Sequence, residues 1–138
     1  MLETIEIETA PNPTASIIVL HGLGADGNDF VPIASELDLA AVGPVRFVFP
    51  HGPTRPVTIN GGYVMRAWYD ILGASFELRD STREDDAGLR ASQALVEELI
   101  AHERGRGIAA KARAVSIYKN RRFSDHAPLL IDYDYELR

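Results

Sequence analysis

Residues 3–9, "ETIEIET", alternate polar and apolar side chains, the pattern of a strand with one wet face, and the "PNPT" that follows breaks it. Residues 16–20, "SIIVL", run apolar and mostly β-branched without interruption, which predicts a strand covered on both faces in a parallel sheet. That run opens into "HGLGADGND", where Gly22, Gly24 and Gly27 lie close together. Such a loop can turn backbone N–H groups inward without Cβ obstruction, as in an anion or oxyanion pocket, or it can be a tight strand-to-helix turn with no ligand. A short helix is predicted over residues 28–37, capped by Asn28 or Asp29, with Pro32 tolerable only in its first turn. Residues 45–53, "VRFVFPHGP", predict a second buried strand closed by prolines and glycine, so the order strand, loop, helix, strand describes a βαβ unit.

Residues 57–71, "VTINGGYVMRAWYDI", are less regular. The Gly61-Gly62 pair with Tyr63, Trp68 and Tyr69 fits a loop laid over a pocket, and aromatics so spaced also fit plain core. A long helix is predicted from about Arg83 to Arg104, packed on one face of the sheet. Ser81 or Thr82 would cap it, Glu84, Asp85 and Asp86 would occupy the first turn, and Gly105 and Gly107 would end it. Its apolar stripe is Ala91, Leu95, Val96, Leu99 and Ile100. In "LIDYDYEL", Ile131, Tyr133, Tyr135 and Leu137 would face one way and Asp132, Asp134 and Glu136 the other.

Composition narrows the function classes. The chain has 138 residues, 46% hydrophobic and 25% charged, enough for one domain with a real core. A net charge of −6 gives no electrostatic reason to expect nucleic acid or an anionic membrane as partner. Cysteine is absent, which excludes disulfides, thiolate metal sites and a cysteine nucleophile. No run is long and apolar enough to cross a bilayer, and the acidic start lacks the pattern of a signal peptide, so a cytoplasmic location is expected.

Three blocks, "VLHGLGADGNDF", "FVFPHGPTRPVTINGGYVMRAWYDI" and "REDDAGLRASQALVEELI", resemble the N-terminal half of the carboxylesterase and acyl-protein thioesterase family of α/β-hydrolases, in that family's order. The resemblance covers about residues 1–108. It implies a truncated α/β-hydrolase-like fold with a mostly parallel sheet and flanking helices. It also implies a serine-type hydrolase acting on an acyl ester or thioester small molecule, with no cofactor and no metal. The oxyanion N–H falls on Leu23, beside Gly24, and Trp68 falls near the acyl site.

The same family carries its nucleophile in a Gly-x-Ser-x-Gly elbow on the strand after the long helix. Here that strand is "ARAVSIYKNRRF", in which Val115 and Ile117 flank Ser116 and resist the strained turn, so Ser116 reads as a strand serine. The family's acid and histidine have no counterpart region either. No catalytic residue is therefore assigned, and the chain is expected to be inactive alone, with an oligomer possible. A non-catalytic binding module is the alternative.

Residues 114–137 resemble the C-terminus of the exonuclease III family, where a Ser-Asp-His-Ala-Pro segment holds an active-site histidine. That places a relic motif at Asp125 and His126, although the metal-binding glutamate and other groups such a nuclease needs are missing. Asp125-His126 can equally be a loop held before Pro128. The chain thus divides into a hydrolase part, 1–108, and a nuclease-like tail, 109–138, expected to pack on the same domain through a strand of different origin. The two resemblances meet between Ile108 and Ala114, and a remnant of a metal-dependent nuclease is a further alternative function.

Overall fold

In the computed structural model, residues 1–72 and 85–108 are described in full, and 114–116 and 130–132 as backbone strands. The elements are β1 (Thr4–Glu8), β2 (Ala15–Ile18), α1 (Ile33–Glu36), β3 (Val45–Pro50), β4 (Thr54–Val57), β5 (Tyr63–Arg66), α2 (Asp86–Gly105), β6 (Ala114–Ser116) and β7 (Leu130–Asp132). A 3₁₀ turn at Thr58–Asn60 joins β4 to β5. Among the described residues no helix is long and apolar enough to cross a membrane.

The main sheet has the order β1-β3-β2. β2 runs parallel to β3, with Ile17 opposite Phe47, as the βαβ reading requires. β1 runs antiparallel to β3 on its other side, with Glu8 opposite Arg46. The β4–β5 and β6–β7 pairs are antiparallel as well. The expectation of a mostly parallel sheet is therefore overturned: this is an α/β domain with a small mixed sheet, mostly antiparallel, and flanking helices. Connection length is the physical reason. A parallel return needs a crossover of about a dozen or more residues. Only the link between β2 and β3, which carries α1, provides one within the main sheet, whereas residues 9–14 can only send the chain back in the opposite direction.

All six residues of β3 are buried, so the second predicted strand is the centre of the fold. Val45, Phe47 and Phe49 lie on one face, where Ile5, Ile7, Ile17, Val31 and Ile33 pack on them. The Phe47 and Phe49 rings stack with centroids 5.9 Å apart. On the other face Leu20, Trp68 and Val96 form a second cluster with Ile18 and Ile100, which seats α2. β2 is only half-buried, because among the described residues it pairs on one edge alone.

Three local expectations change. The helix over 28–37 shrinks to the single turn of α1. Pro32 has no N–H to offer the Asn28 carbonyl and its ring crowds that oxygen, so residues 28–32 form tight turns and α-type bonding starts at Glu36 N–H to Pro32. α2 starts at Asp86, capped by Asp85, whose carboxylate accepts the Gly88 N–H at 2.9 Å. The alternative caps Ser81 and Thr82 lie outside the described residues. Within the stripe, Val96 and Leu99 are buried, Leu95 and Ile100 half-buried, and Ala91 exposed. The irregular segment 57–71 contains a hairpin instead of a loop, with Gly61 and Gly62 both at positive φ in its turn. Ser116 does lie in a strand, β6, paired with the "LID" of the tail.

The α2 face of the sheet carries a buried charge cluster. Arg46 of β3 projects towards α2 and is 4% exposed, as is Glu103 at 5%. Arg46 Nε donates to both Glu103 oxygens, at 3.0 and 3.1 Å, while Nη2 lies 2.6 Å from Glu6 and Nη1 3.2 Å from Glu8 on β1. Ser16 of β2 donates to Glu103 at 2.6 Å. Burial works against ionising Glu6, but its bonds to Arg46 and Thr4 outweigh that and hold its carboxyl below the usual range. Arg46 keeps Glu6 and Glu8 if Glu103 is lost, but without Arg46 the buried Glu103 carboxylate has no cation beside it. Arg46→Met should therefore lower the free energy of unfolding by about 3 kcal/mol in urea titrations, and the double change Arg46→Met with Glu103→Leu should lose less than that single one.

Candidate functional site

The carboxyl ends of β2 and β3 are where ligands bind open α/β sheets, and here β2 leads into a glycine-rich loop and β3 into His51-Gly52-Pro53. After β2, residues 19–29 leave the sheet and fold back on the end of β3. Several amides of this loop are taken. Gly24 N–H donates to Arg66 O at 2.9 Å, Ala25 to Gly22 O at 3.3 Å, and Asp29 to Asp26 O at 3.1 Å. Gly27 N–H reaches His51 Nδ1 at 3.1 Å, and Asn28 N–H the Asp26 carboxylate at 2.7 Å. The His21, Gly22, Leu23 and Asp26 N–H groups have no acceptor among the described residues.

Two glycines make this geometry possible. Gly24 has φ +72°, the left-handed region that a Cβ disfavours. Gly27 lies against the end of β3, where a Cβ would stand 2.6 Å from the Phe49 carbonyl oxygen.

Beneath the loop His21 is 1% exposed. Gly52 N–H donates to its Nε2 at 2.8 Å, so Nε2 carries no proton. Nδ1 is then the protonated nitrogen and donates to the Gly22 carbonyl at 2.7 Å. Burial is the main cause that holds the His21 pKa below its ordinary value. Trp68 Nε1–H donates to the His21 carbonyl at 2.8 Å, and the two rings are tilted with centroids 5.3 Å apart. Arg66 of β5 donates to the Gly52 carbonyl at 2.7 Å, which closes the ring of contacts.

α2 supports this assembly from behind. Ser92 donates to the Trp68 carbonyl. Asp85 accepts Asp70 N–H at 2.8 Å and faces Arg55 of β4 at 3.5 Å. The Asp85 carboxyl is held below its usual range first by the Asp70 and Gly88 N–H groups.

Residues 3–116 match the family model described as phospholipase/carboxylesterase. The chain belongs to this phospholipase/carboxylesterase family. It is similar to acyl-protein thioesterase 1 of Cryptococcus neoformans, 36% identical over 107 residues that make up 78% of this chain and 44% of that protein. Acyl-protein thioesterase 1 of Neurospora crassa is 38% identical over 101 residues, 70% of this chain and 40% of that protein. Among solved structures, Zea mays acyl-protein thioesterase 2 superposes with a TM-score of 0.60 at 30% identity, over 73% of this chain and 41% of that one. The chain thus spans less than half the length of the relatives it matches.

Within this family member, the sequence-predicted residues fall as follows. Leu23 and Gly24 stand side by side in the loop, Leu23 half-buried and Gly24 exposed. Trp68 is 6% exposed, a core residue that props the loop by its indole N–H. Asp125 and His126 lie outside the described residues, and the family match stops at residue 116. His21, His51 and Gly52 were not singled out from the sequence. Their signal was present as "HG" after each of the two buried strands.

Gly27→Ala should cost about 1–3 kcal/mol, read from the urea midpoint, because the added methyl meets backbone that cannot move aside. The His21 pKa also gives stability a pH dependence. Folding favours the neutral ring, so this contribution is complete above the ordinary value of 6.5 and is lost as pH falls below it. Calorimetric melting should therefore fall from pH 6.5 to pH 5, and His21→Asn should flatten that slope. Loss from the depressed Asp70 and Asp85 carboxyls belongs to more acid solutions, below their ordinary value of 3.8.

Proposed function

We propose that this chain carries the oxyanion-binding part of an ester or thioester hydrolase, with the Leu23 N–H as a donor. The observation that carries the reading is the place of Leu23 in the glycine loop after β2: its N–H, like those of His21, Gly22 and Asp26, has no acceptor among the described residues, while Gly24, Ala25, Gly27, Asn28 and Asp29 spend theirs holding the loop in shape. A tetrahedral acyl intermediate concentrates negative charge on one oxygen, and a fixed N–H aimed at it stabilises that charge with no reorganisation. Family membership supports an acyl ester or thioester small molecule as the ligand.

The chain supplies no nucleophile elbow, since Gly-x-Ser-x-Gly occurs nowhere in its 138 residues. Val115 and Ile117 beside Ser116 give that serine none of the small neighbours the elbow turn requires. Purified chain should hydrolyse p-nitrophenyl butyrate no faster than a control protein and should resist fluorophosphonate labelling. Labelling that disappears in Ser116→Ala would identify Ser116 as a nucleophile and reverse this part of the reading.

Asp125 and His126 are read as a relic of the tail's sequence origin, with residues 1–108 as the hydrolase portion. One carboxylate and one imidazole are too few ligands for magnesium, which prefers near-octahedral oxygen, and a net charge of −6 opposes approach to phosphate. Duplex DNA incubated with the chain and magnesium should stay intact. Cleavage that vanishes in His126→Ala would put nuclease chemistry first instead.

A further inference from the structure

We infer that His21 is a positioning residue that sets the direction of the Leu23 N–H; this rests on the reading of that amide as an oxyanion donor. The Gly22–Leu23 peptide is trans, so its carbonyl and its N–H point to opposite sides. His21 Nδ1–H holds the Gly22 oxygen at 2.7 Å, and the Leu23 N–H must therefore face away from the imidazole. The ring cannot easily turn to release that oxygen. Gly52 N–H holds Nε2 at 2.8 Å, Trp68 holds the His21 carbonyl at 2.8 Å, and even a Cβ on Gly52 would stand only 3.0 Å from Nε2.

The Ala25 N–H also approaches the Gly22 oxygen, at 3.3 Å, but it is part of the same short turn and moves with it. The imidazole is anchored outside the loop, to the segment after β3. Its low pKa, set by burial, keeps it in the neutral form that has one donor and one acceptor, which both bonds need.

Two variants separate the roles. Asn at position 21 places an amide N–H near the former Nδ1 and keeps the bond to Gly22 while losing Gly52. Gln places its oxygen near the former Nε2 and keeps Gly52 while losing Gly22. The readout is the residual dipolar coupling of the Leu23 N–H in 15N-labelled protein, which reports the direction of that bond vector without any ligand. The expected result is a Leu23 coupling close to wild type in His21→Asn and displaced in His21→Gln, with β3 couplings unchanged in both. An unchanged Leu23 coupling in His21→Gln would overturn the inference, since the loop would then hold its own peptide. Should either variant fail to fold, the 15N spectrum of the wild-type imidazole decides: a proton on Nδ1 supports the inference and a proton on Nε2 overturns it. Titration of wild type with octylphosphonate tests the underlying reading separately. A downfield shift of the Leu23 amide supports it, and no shift sinks the oxyanion assignment while the coupling result still judges His21.

Discussion

The buried pair between Arg46 and Glu103 is the contact on which the arrangement of this molecule depends. Arg46 sits on the central strand, and its guanidinium touches carboxylates on β1 and α2, while Ser16 of β2 completes the Glu103 carboxylate. One cation thereby ties three strands to the long helix. Apolar contacts of Val96 and Ile100 seat α2 on the sheet but carry no direction of their own. A charge-assisted fork, being directional, selects one register. That register places Ser92 under Trp68, Trp68 under His21, and His21 under the loop.

The loop itself is held by backbone more than by side-chain packing. Its amides are bound to Arg66, Gly22, Asp26 and His51, and it rests directly on the last carbonyls of β3. This follows from the glycines, which remove the side chains that would otherwise keep two backbones apart. The consequence is a segment with little conformational freedom to lose on binding, in which the Gly22 to Gly24 stretch offers no polar group beyond its backbone.

How far the sequence foretold this varied by element, for physical reasons. β1, β3 and α2 were legible because each has one environment along its length: alternating exposure in "TIEIE", full burial in "VRFVFP", and a 3.6-residue stripe around Val96 and Leu99. The parallel pairing of β2 with β3 followed from the helix-bearing link between them. The sense of β1 did not, since alternation says nothing about strand direction, and the short 9–14 link was the overlooked clue. The hairpin was missed because the glycine pair and the aromatics Tyr63, Trp68 and Tyr69 read as a loop over a pocket, although "GG" between short apolar runs is also a turn signal. In the site, the glycines located the loop. His21 was overlooked because its importance lies in partners distant in sequence, Gly52 and Trp68.

The β4–β5 hairpin is fastened at its base, where Arg66 is bound to Gly52 and Arg55 faces Asp85, and its turn is tied back by Thr58 to Asp70. On β5 next to the turn, Tyr63 is 71% and Val64 59% exposed. Mutational drift is therefore cheap at one end and dear at the other. Charged side chains at Tyr63 and Val64 would change what the surface adheres to without touching the fold, whereas a change at Arg66 releases the Gly52 carbonyl that its guanidinium holds. Tolerance and constraint thus lie within four residues of the same strand.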